Sequence, residues 1–154
     1  MPRFDVPPLD GPLVVTSPFG PRAAPVPGAS TDHKGIDLRA RVGDPVRAPA
    51  RALVARTRST AAGGHEVRLE LEDGALVDLL HLSDVFVHEG QTVEAGAIVA
   101  EAGATGNVSG PHLHLGLVVG GAYVDPAPYL ARWLNGGGAG LALLLVAVAA
   151  LAFS

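Results

Sequence analysis

Two histidines separated by one residue, His112 and His114, are the part of the sequence best suited to chemistry. In an extended segment, side chains two residues apart point to the same side, so both imidazoles would share a face while Leu113 enters a core. Residues 115–119 are rich in strand formers, which favours a buried strand. Because two buried imidazoles are costly unless they bind something, a metal ion is the simplest ligand.

A second pair of ligand-type residues, His33 and Asp37, lies about eighty residues upstream. In a straight strand they would be roughly 13 Å apart, whereas ligands on one tetrahedral zinc are only about 3.3 Å apart. The chain must therefore bend between them, and Gly35 permits a bend. Two histidines and one carboxylate would leave a fourth zinc position open for water, and the remaining histidine would be a candidate acid or base.

The amino-acid composition restricts which classes of protein and which kinds of metal site this sequence can form. The chain has 154 residues, 48% of them hydrophobic, which indicates one globular domain. It contains no cysteine, so any metal must be bound by histidine, aspartate or glutamate. The net charge of −4 gives no indication of a nucleic-acid partner. Six arginines between residues 39 and 58 are interpreted as solvated strand edges and loops rather than as a contact for an anionic polymer.

The hydrophobic periodicity predicts a mainly β protein with an antiparallel, sandwich-like sheet. Residues 65–72 alternate between an apolar and a charged face. The apolar face consists of His65, Val67, Leu69 and Leu71. Asp73 and Gly74 form a hairpin turn, and the return strand over 75–82 carries His81. Valines separated by glycine turns predict further short strands over residues 85–103.

The two ends of the chain differ from the middle. Residues 1–12 are interpreted as a proline-rich, extended lead-in without the apolar region of a signal peptide. The main domain is assigned to residues 13–134. It ends in a helix with Asp125 as N-cap and Pro126 at the first position.

Residues 135–154 form a glycine linker and an apolar tail. The strongly apolar part has 13 residues, and the adjoining glycines extend it to 18, which barely reaches the ~17–25 needed to span a bilayer. We therefore favour a membrane-associated tail, through residues 136–153, over a buried helix. Arg132, the nearest charge, would then favour a cytoplasmic position for the domain.

Five motifs follow one another along the chain: Ser17–Arg22, His33-x-x-x-Asp37, His81-Leu82-Ser83, Thr105-Gly106 and Gly110–His114. In this combination and order they resemble the M23 family of zinc metallopeptidases, the lysostaphin- and LytM-like enzymes that cut peptide bonds in bacterial peptidoglycan. The likeness covers about residues 12–130 and implies the M23 peptidase fold. Two departures are Leu79, where the family often has tyrosine, and residues 115–117, which lack a frequent acidic side chain.

The resemblance implies a role for each residue of the site. His33, Asp37 and His114 would bind one zinc ion, and His81 and His112 would be catalytic without binding it. The implied reaction is metal-assisted hydrolysis of an amide. Either His112 or His81 would take the proton from water, and the pair would stabilise the tetrahedral intermediate or protonate the leaving amine.

Several alternatives stay open at this point. The zinc site could be structural, with four protein ligands. The chain could also be a non-catalytic LytM-like module that binds peptidoglycan or activates another hydrolase. A peptidoglycan substrate implies the cell envelope, which conflicts with a cytoplasmic domain unless a phage lysis system or an unusual export route delivers the chain. The bond that is cut and the oligomeric state are not specified, and His65 and His88 are predicted to be surface or hydrogen-bonded histidines.

Overall fold

The computed structural model describes residues 1–134, which contain thirteen β-strands and one short helix. The strands are β1 (Val15–Ser17), β2 (Gly20–Pro21), β3 (Asp32–His33), β4 (Ile36–Arg39), β5 (Pro45–Arg47), β6 (Ala52–Thr60), β7 (Gly64–Leu71), β8 (Leu76–Leu82), β9 (Asp84–Val85), β10 (Thr92–Val93), β11 (Ile98–Glu101), β12 (His112–Val119) and β13 (Ala122–Val124). The helix is α1 (Ala127–Leu130), followed by a 3₁₀ turn at Ala131–Trp133.

Most strands belong to one large sheet, in the order β1-β4-β12-β8-β7-β6-β10, with β13 also paired to β12. A second sheet has the order β5-β11-β9, and β2 pairs with β3 alone. Every strand pairing is antiparallel. Both larger sheets contribute side chains to a single hydrophobic core. The prediction of a mainly β, antiparallel fold is confirmed.

The strand that carries the two closely spaced histidines lies inside the large sheet. β12 pairs with β4 along one edge and with β8 along the other. Leu113, Leu115 and Leu117 are fully buried, at 0% exposure, and they fill the core on one side of this strand. His112 and His114 point to the opposite side, where both approach the same carboxylate. The prediction that they share one face of a buried strand is confirmed.

The alternation predicted for residues 65–72 fails at its first residue. His65 is exposed, whereas Glu66 is buried at 6% exposure. A β-bulge between His65 and Val67, in the pairing with β8, shifts the register there by one residue. The carboxylate of Glu66 accepts a hydrogen bond of 2.8 Å from Oγ1 of Thr60, which compensates part of its desolvation. Placing His65 on the apolar face was therefore wrong.

The C-terminal helix is shorter than predicted and begins one residue later. Its capping residue is Pro126 rather than Asp125. Oδ1 of Asp125 still accepts a hydrogen bond of 2.9 Å from the backbone N–H of Ala127. After Leu130 the chain tightens into the 3₁₀ turn, as short helices often do at their ends.

The lead-in of residues 1–12 contains neither helix nor strand, yet it packs against the domain. Phe4 and Leu9 are buried in the core. Nη2 of Arg132 donates a hydrogen bond of 2.6 Å to the carbonyl of Phe4. The segment is thus fixed both by apolar burial and by its backbone.

The glycine linker and apolar tail, residues 135–154, lie outside the described residues. The membrane association of residues 136–153 and the boundary after residue 134 therefore stay predictions. Within residues 1–134, no helix has the length and apolar character required to cross a bilayer.

Candidate metal centre

The three side chains expected to bind a metal come from two separate sheets. Asp37 in β4 is paired directly with His114 in β12. His33 ends β3, which pairs with β2 in the small two-stranded sheet. Between His33 and Ile36 the chain leaves the small sheet and enters the large one. This change of sheet is the bend that the sequence requires, and it brings His33 and Asp37 together.

The three ligand atoms form a compact triangle. Oδ1 of Asp37 lies 3.1 Å from Nε2 of His33 and 3.1 Å from Nδ1 of His114. The two nitrogens are 3.0 Å apart. These separations are close to the ~3.3 Å expected between ligands of a tetrahedral zinc ion. Within residues 1–134, no other group of three or more His, Asp or Glu side chains brings its ligand atoms this close together.

A backbone carbonyl fixes the protonation of His33. Its Nδ1 lies 2.8 Å from the carbonyl oxygen of Pro18. Because a carbonyl only accepts hydrogen bonds, Nδ1 must carry a proton, and in the neutral, metal-binding form of His33 the lone pair is then on Nε2, the atom that faces Asp37 and His114. An outer hydrogen bond of this kind is typical of metal-binding histidines.

The protonation of Asp37 and His114 also suits a metal. Burial raises the pKa of Asp37, but hydrogen bonds from His114 and His33, with the nearby charge of His112, outweigh it and hold that pKa far below its usual range. Burial lowers the pKa of His114, despite the opposing hydrogen bond to Asp37. A charged carboxylate and a neutral imidazole are the forms that bind a cation.

His81 and His112 lie beside the triangle, with their rings 4.9 Å apart between centroids. Nδ1 of His81 donates to the carbonyl of Thr105 at 2.8 Å, and Nδ1 of His112 donates to the carbonyl of Gly110 at 3.0 Å. In both rings Nε2 is therefore the nitrogen available for proton transfer. Nε2 of His112 is 3.5 Å from Oδ1 of Asp37.

His81 has an unusual backbone conformation, with φ at 63°. No other non-glycine residue among residues 1–134 has a positive φ. Its N–H donates a hydrogen bond of 2.8 Å to the carbonyl of Gly63, which helps to hold this strained conformation. Burial lowers the pKa of His81 to about 4, so its imidazole is neutral near pH 7 and able to accept a proton.

The five side chains line an open cleft of about 630 Å³. The loop of residues 23–30 and the segment 107–111 also line it. Nδ2 of Asn107 donates a hydrogen bond of 3.2 Å to the carbonyl of Pro27, so the two segments touch. A cleft of this size is large enough to hold a small ligand beside the triangle.

Gly35 is required for a different reason from the one expected. Its φ is not in the left-handed region. A Cβ atom at this position would instead lie 2.4 Å from the carbonyl oxygen of Leu115 and 2.7 Å from Nε2 of His114. Gly35 thus allows the backbone to pass directly against the strand that carries His114.

Replacing Gly35 with alanine is expected to lower the free energy of unfolding by about 1–3 kcal/mol, because the new methyl group overlaps a backbone carbonyl that cannot move freely. The same variant should bind zinc more weakly, because the clash also displaces His114. Thermal unfolding monitored by circular dichroism measures the first effect. Gly110→Ala is the stability control, since its Cβ would meet nothing within 4 Å. Equal melting temperatures for the two variants would contradict this account.

Some contacts of the site involve residues to which the sequence reasoning gave no role. Nη1 of Arg22 lies 3.4 Å from Oδ2 of Asp37, and the carbonyls of Pro18 and Thr105 orient two of the histidines. The only sequence signal for them was their presence in the quoted motifs Ser17–Arg22 and Thr105-Gly106. His65 and His88 are exposed and lie outside the cleft, so their prediction as surface histidines is confirmed.

Several curated proteins that are similar in sequence to this chain are named as peptidases. The peptidoglycan DD-endopeptidase ShyA of Vibrio cholerae is 34% identical over 119 residues, which are 77% of this chain and 28% of ShyA. The chain spans about a quarter of the length of the curated relatives it matches.

Solved structures give the same picture. A zinc-containing peptidase from Vibrio cholerae superposes with a TM-score of 0.72 and 34% identity over 80% of this chain and 39% of its own. The catalytic domain of lysostaphin from Staphylococcus simulans superposes with a TM-score of 0.68 and 29% identity over 75% of this chain and 90% of its own.

The sequence profile of peptidase family M23 matches residues 31–126, which include all five cleft residues described above. The fold is also shared with the lysostaphin catalytic domain, as the motif resemblance implied. This chain belongs to peptidase family M23.

Proposed function

We propose that this chain is a zinc-dependent metalloendopeptidase that hydrolyses an amide bond in the stem or cross-bridge peptides of bacterial peptidoglycan. The observation that carries the proposal is the triangle of His33, Asp37 and His114, with ligand atoms 3.0–3.1 Å apart beside two further histidines. Inactive members of the family would be expected to lack part of this set. All five residues are present here.

The donor set supports zinc. Two imidazole nitrogens and one carboxylate oxygen are the ligands of several catalytic zinc sites, and they leave one coordination position for water or substrate. Zinc at such a site lowers the pKa of a bound water and polarises the scissile carbonyl. His33, Asp37 and His114 would hold the ion, and the cleft beside them would hold the peptide.

His81 and His112 would move the protons. Each has Nδ1 tied to a backbone carbonyl, which keeps its ring in one orientation and leaves Nε2 free. One imidazole would accept the proton released by the attacking water, and the other would stabilise the tetrahedral intermediate or protonate the leaving amine. Neutral His81 could act as the base near pH 7, and His112, whose Nδ1 is held in the same way, could equally do so.

The choice of peptidoglycan rests on family membership and on the substrate named for ShyA. A peptidoglycan substrate would put the site of action at the cell envelope, and that location is part of the proposal. The route to that layer, through a phage lysis system or through an export route, stays a prediction. So does the association of residues 136–153 with a membrane.

Digestion of purified peptidoglycan tests the proposal. The chain with zinc is expected to release soluble fragments, and 1,10-phenanthroline should reduce this release to background, since it removes the metal. The isomer 1,7-phenanthroline does not chelate and is the matched control. Adding zinc back should restore the release, and mass spectrometry of the fragments would identify the bond that is cut.

The same experiment separates the alternatives. Binding to peptidoglycan without release of fragments would contradict an enzyme and indicate a binding module. Release that occurs only when a second hydrolase is added would indicate an activator.

A further inference from the structure

The segment Ser17–Arg22 has no role in the reaction described so far, yet it touches two members of the metal triangle. Pro18 fixes His33 through its carbonyl, as described above. At the other end of the segment, the guanidinium of Arg22 reaches Asp37. The two side chains are largely buried, with 17% and 11% of their surfaces exposed, so water screens this ion pair only in part.

The two oxygens of the Asp37 carboxylate face different partners. Oδ1 is the atom that faces His33 and His114, at 3.1 Å from each. Oδ2 lies 3.4 Å from Nη1 of Arg22. One oxygen of the carboxylate therefore faces the metal triangle, and the other faces the guanidinium of Arg22.

Arg22 is itself held by three further hydrogen bonds, two from its guanidinium and one from its backbone. The same Nη1 donates a hydrogen bond of 2.9 Å to Oγ of Ser17, and Nε donates one of 3.0 Å to the carbonyl of Ser30. The backbone N–H of Arg22 also donates to the carbonyl of Thr31 at 2.8 Å. A planar guanidinium anchored in this way is fixed in position before any metal binds.

Building on the proposed function, we infer that Arg22 is a positioning residue that keeps Asp37 a one-oxygen ligand. By engaging Oδ2, it leaves only Oδ1 for the zinc ion. A carboxylate that turned to bind through both oxygens would add a fifth ligand, which would crowd the coordination position that water needs. Arg22 would thereby keep that position open and align the carboxylate with the two histidines.

The inference predicts a change in metal binding that can be measured without substrate. The variant Arg22→Met retains an aliphatic side chain but loses the guanidinium group. Zinc affinity, measured by competition with a chromogenic chelator, should fall about 10–100-fold, as is typical when an outer-sphere partner of a metal ligand is removed. The zinc affinity of Arg22→Lys should lie between those of this variant and the wild type, because an ammonium keeps the positive charge but lacks the planar guanidinium geometry.

Cobalt substitution reports the coordination directly. The visible d–d absorption of Co²⁺ is intense in a four-coordinate site and weaker in a five-coordinate one. The wild type should give the intense spectrum, and Arg22→Met the weaker one, because Oδ2 is released toward the metal. Arg41→Met is the matched control, since Arg41 is exposed and lies outside the cleft.

The outcomes are distinct. Wild-type zinc affinity and an unchanged cobalt spectrum in Arg22→Met would overturn the inference, as would an equal loss in Arg41→Met. If Arg22→Met does not fold, wild-type affinity in Arg22→Lys would overturn it. A wild-type chain that binds no zinc would overturn the proposed function, whereas an active wild type with an unaffected Arg22→Met would overturn only the role of Arg22.

Discussion

Replacing Asp37 with alanine is expected to abolish zinc binding and peptide hydrolysis together. Its Oδ1 contacts both histidine nitrogens of the triangle, and it is the one carboxylate of the ligand group found within residues 1–134. Without it, two neutral imidazoles face a divalent ion with no compensating carboxylate. Because the metal supplies several kcal/mol of transition-state stabilisation, the rate should fall by at least about 10³-fold.

The same loss is expected for His33→Ala and His114→Ala. Zinc content is measured by plasma mass spectrometry after gel filtration, and hydrolysis by release of peptidoglycan fragments. Asp84→Ala is the control, since Asp84 is exposed and its carboxylate accepts a hydrogen bond from the N–H of the next residue, Val85. One zinc ion per chain in the His114 variant would contradict the assignment of the ligands.

The arrangement of the β12 strand was predictable because local pattern determines it. A strand of alternating side chains with leucine on one face must place His112 and His114 together on the other. The turn at Asp73 and Gly74 was predictable for a similar reason: Gly74 has φ at 88°, and Oδ1 of Asp73 accepts the N–H of Ala75. Both features depend on a few neighbouring residues.

The position of Asp37 opposite His114 was not available from local pattern. The two residues are 77 apart in the chain, and their pairing depends on β4 lying beside β12 in the assembled sheet. Spacing alone required only a bend between His33 and Asp37. The assignment of the three ligands came from the likeness to a known family, and the sheet order gives its physical basis.

Irregularities of the backbone also could not be predicted from the pattern of side chains. The bulge beside His65 exchanges the faces on which His65 and Glu66 lie, and the types of these two residues do not indicate it. The left-handed conformation of His81 is one such backbone feature. Backbone carbonyls also determine which nitrogen three of the imidazoles present, and these carbonyls belong to Pro18, Thr105 and Gly110. The sequence thus indicates candidate site residues more readily than it indicates how their side chains are held.

Replacing His112 with alanine is expected to leave zinc bound but to lower hydrolysis by about 10²–10⁴-fold, the usual contribution of a general acid or base. The same result is expected for His81→Ala, and the double variant should lose little more than either single one, since the two act as a unit. His88→Ala, which removes an exposed histidine outside the cleft, should behave as the wild type.

The His112 variant is the more informative of the two. Its Nε2 lies 3.5 Å from Oδ1 of Asp37, close enough that a small movement would make it a fourth metal ligand. In that case the site would have no open position and would be structural rather than catalytic. Loss of zinc from His112→Ala, measured against retention in His81→Ala, would indicate that structural site. Retention of zinc in both variants, with activity lost in both, would assign the two imidazoles to proton transfer.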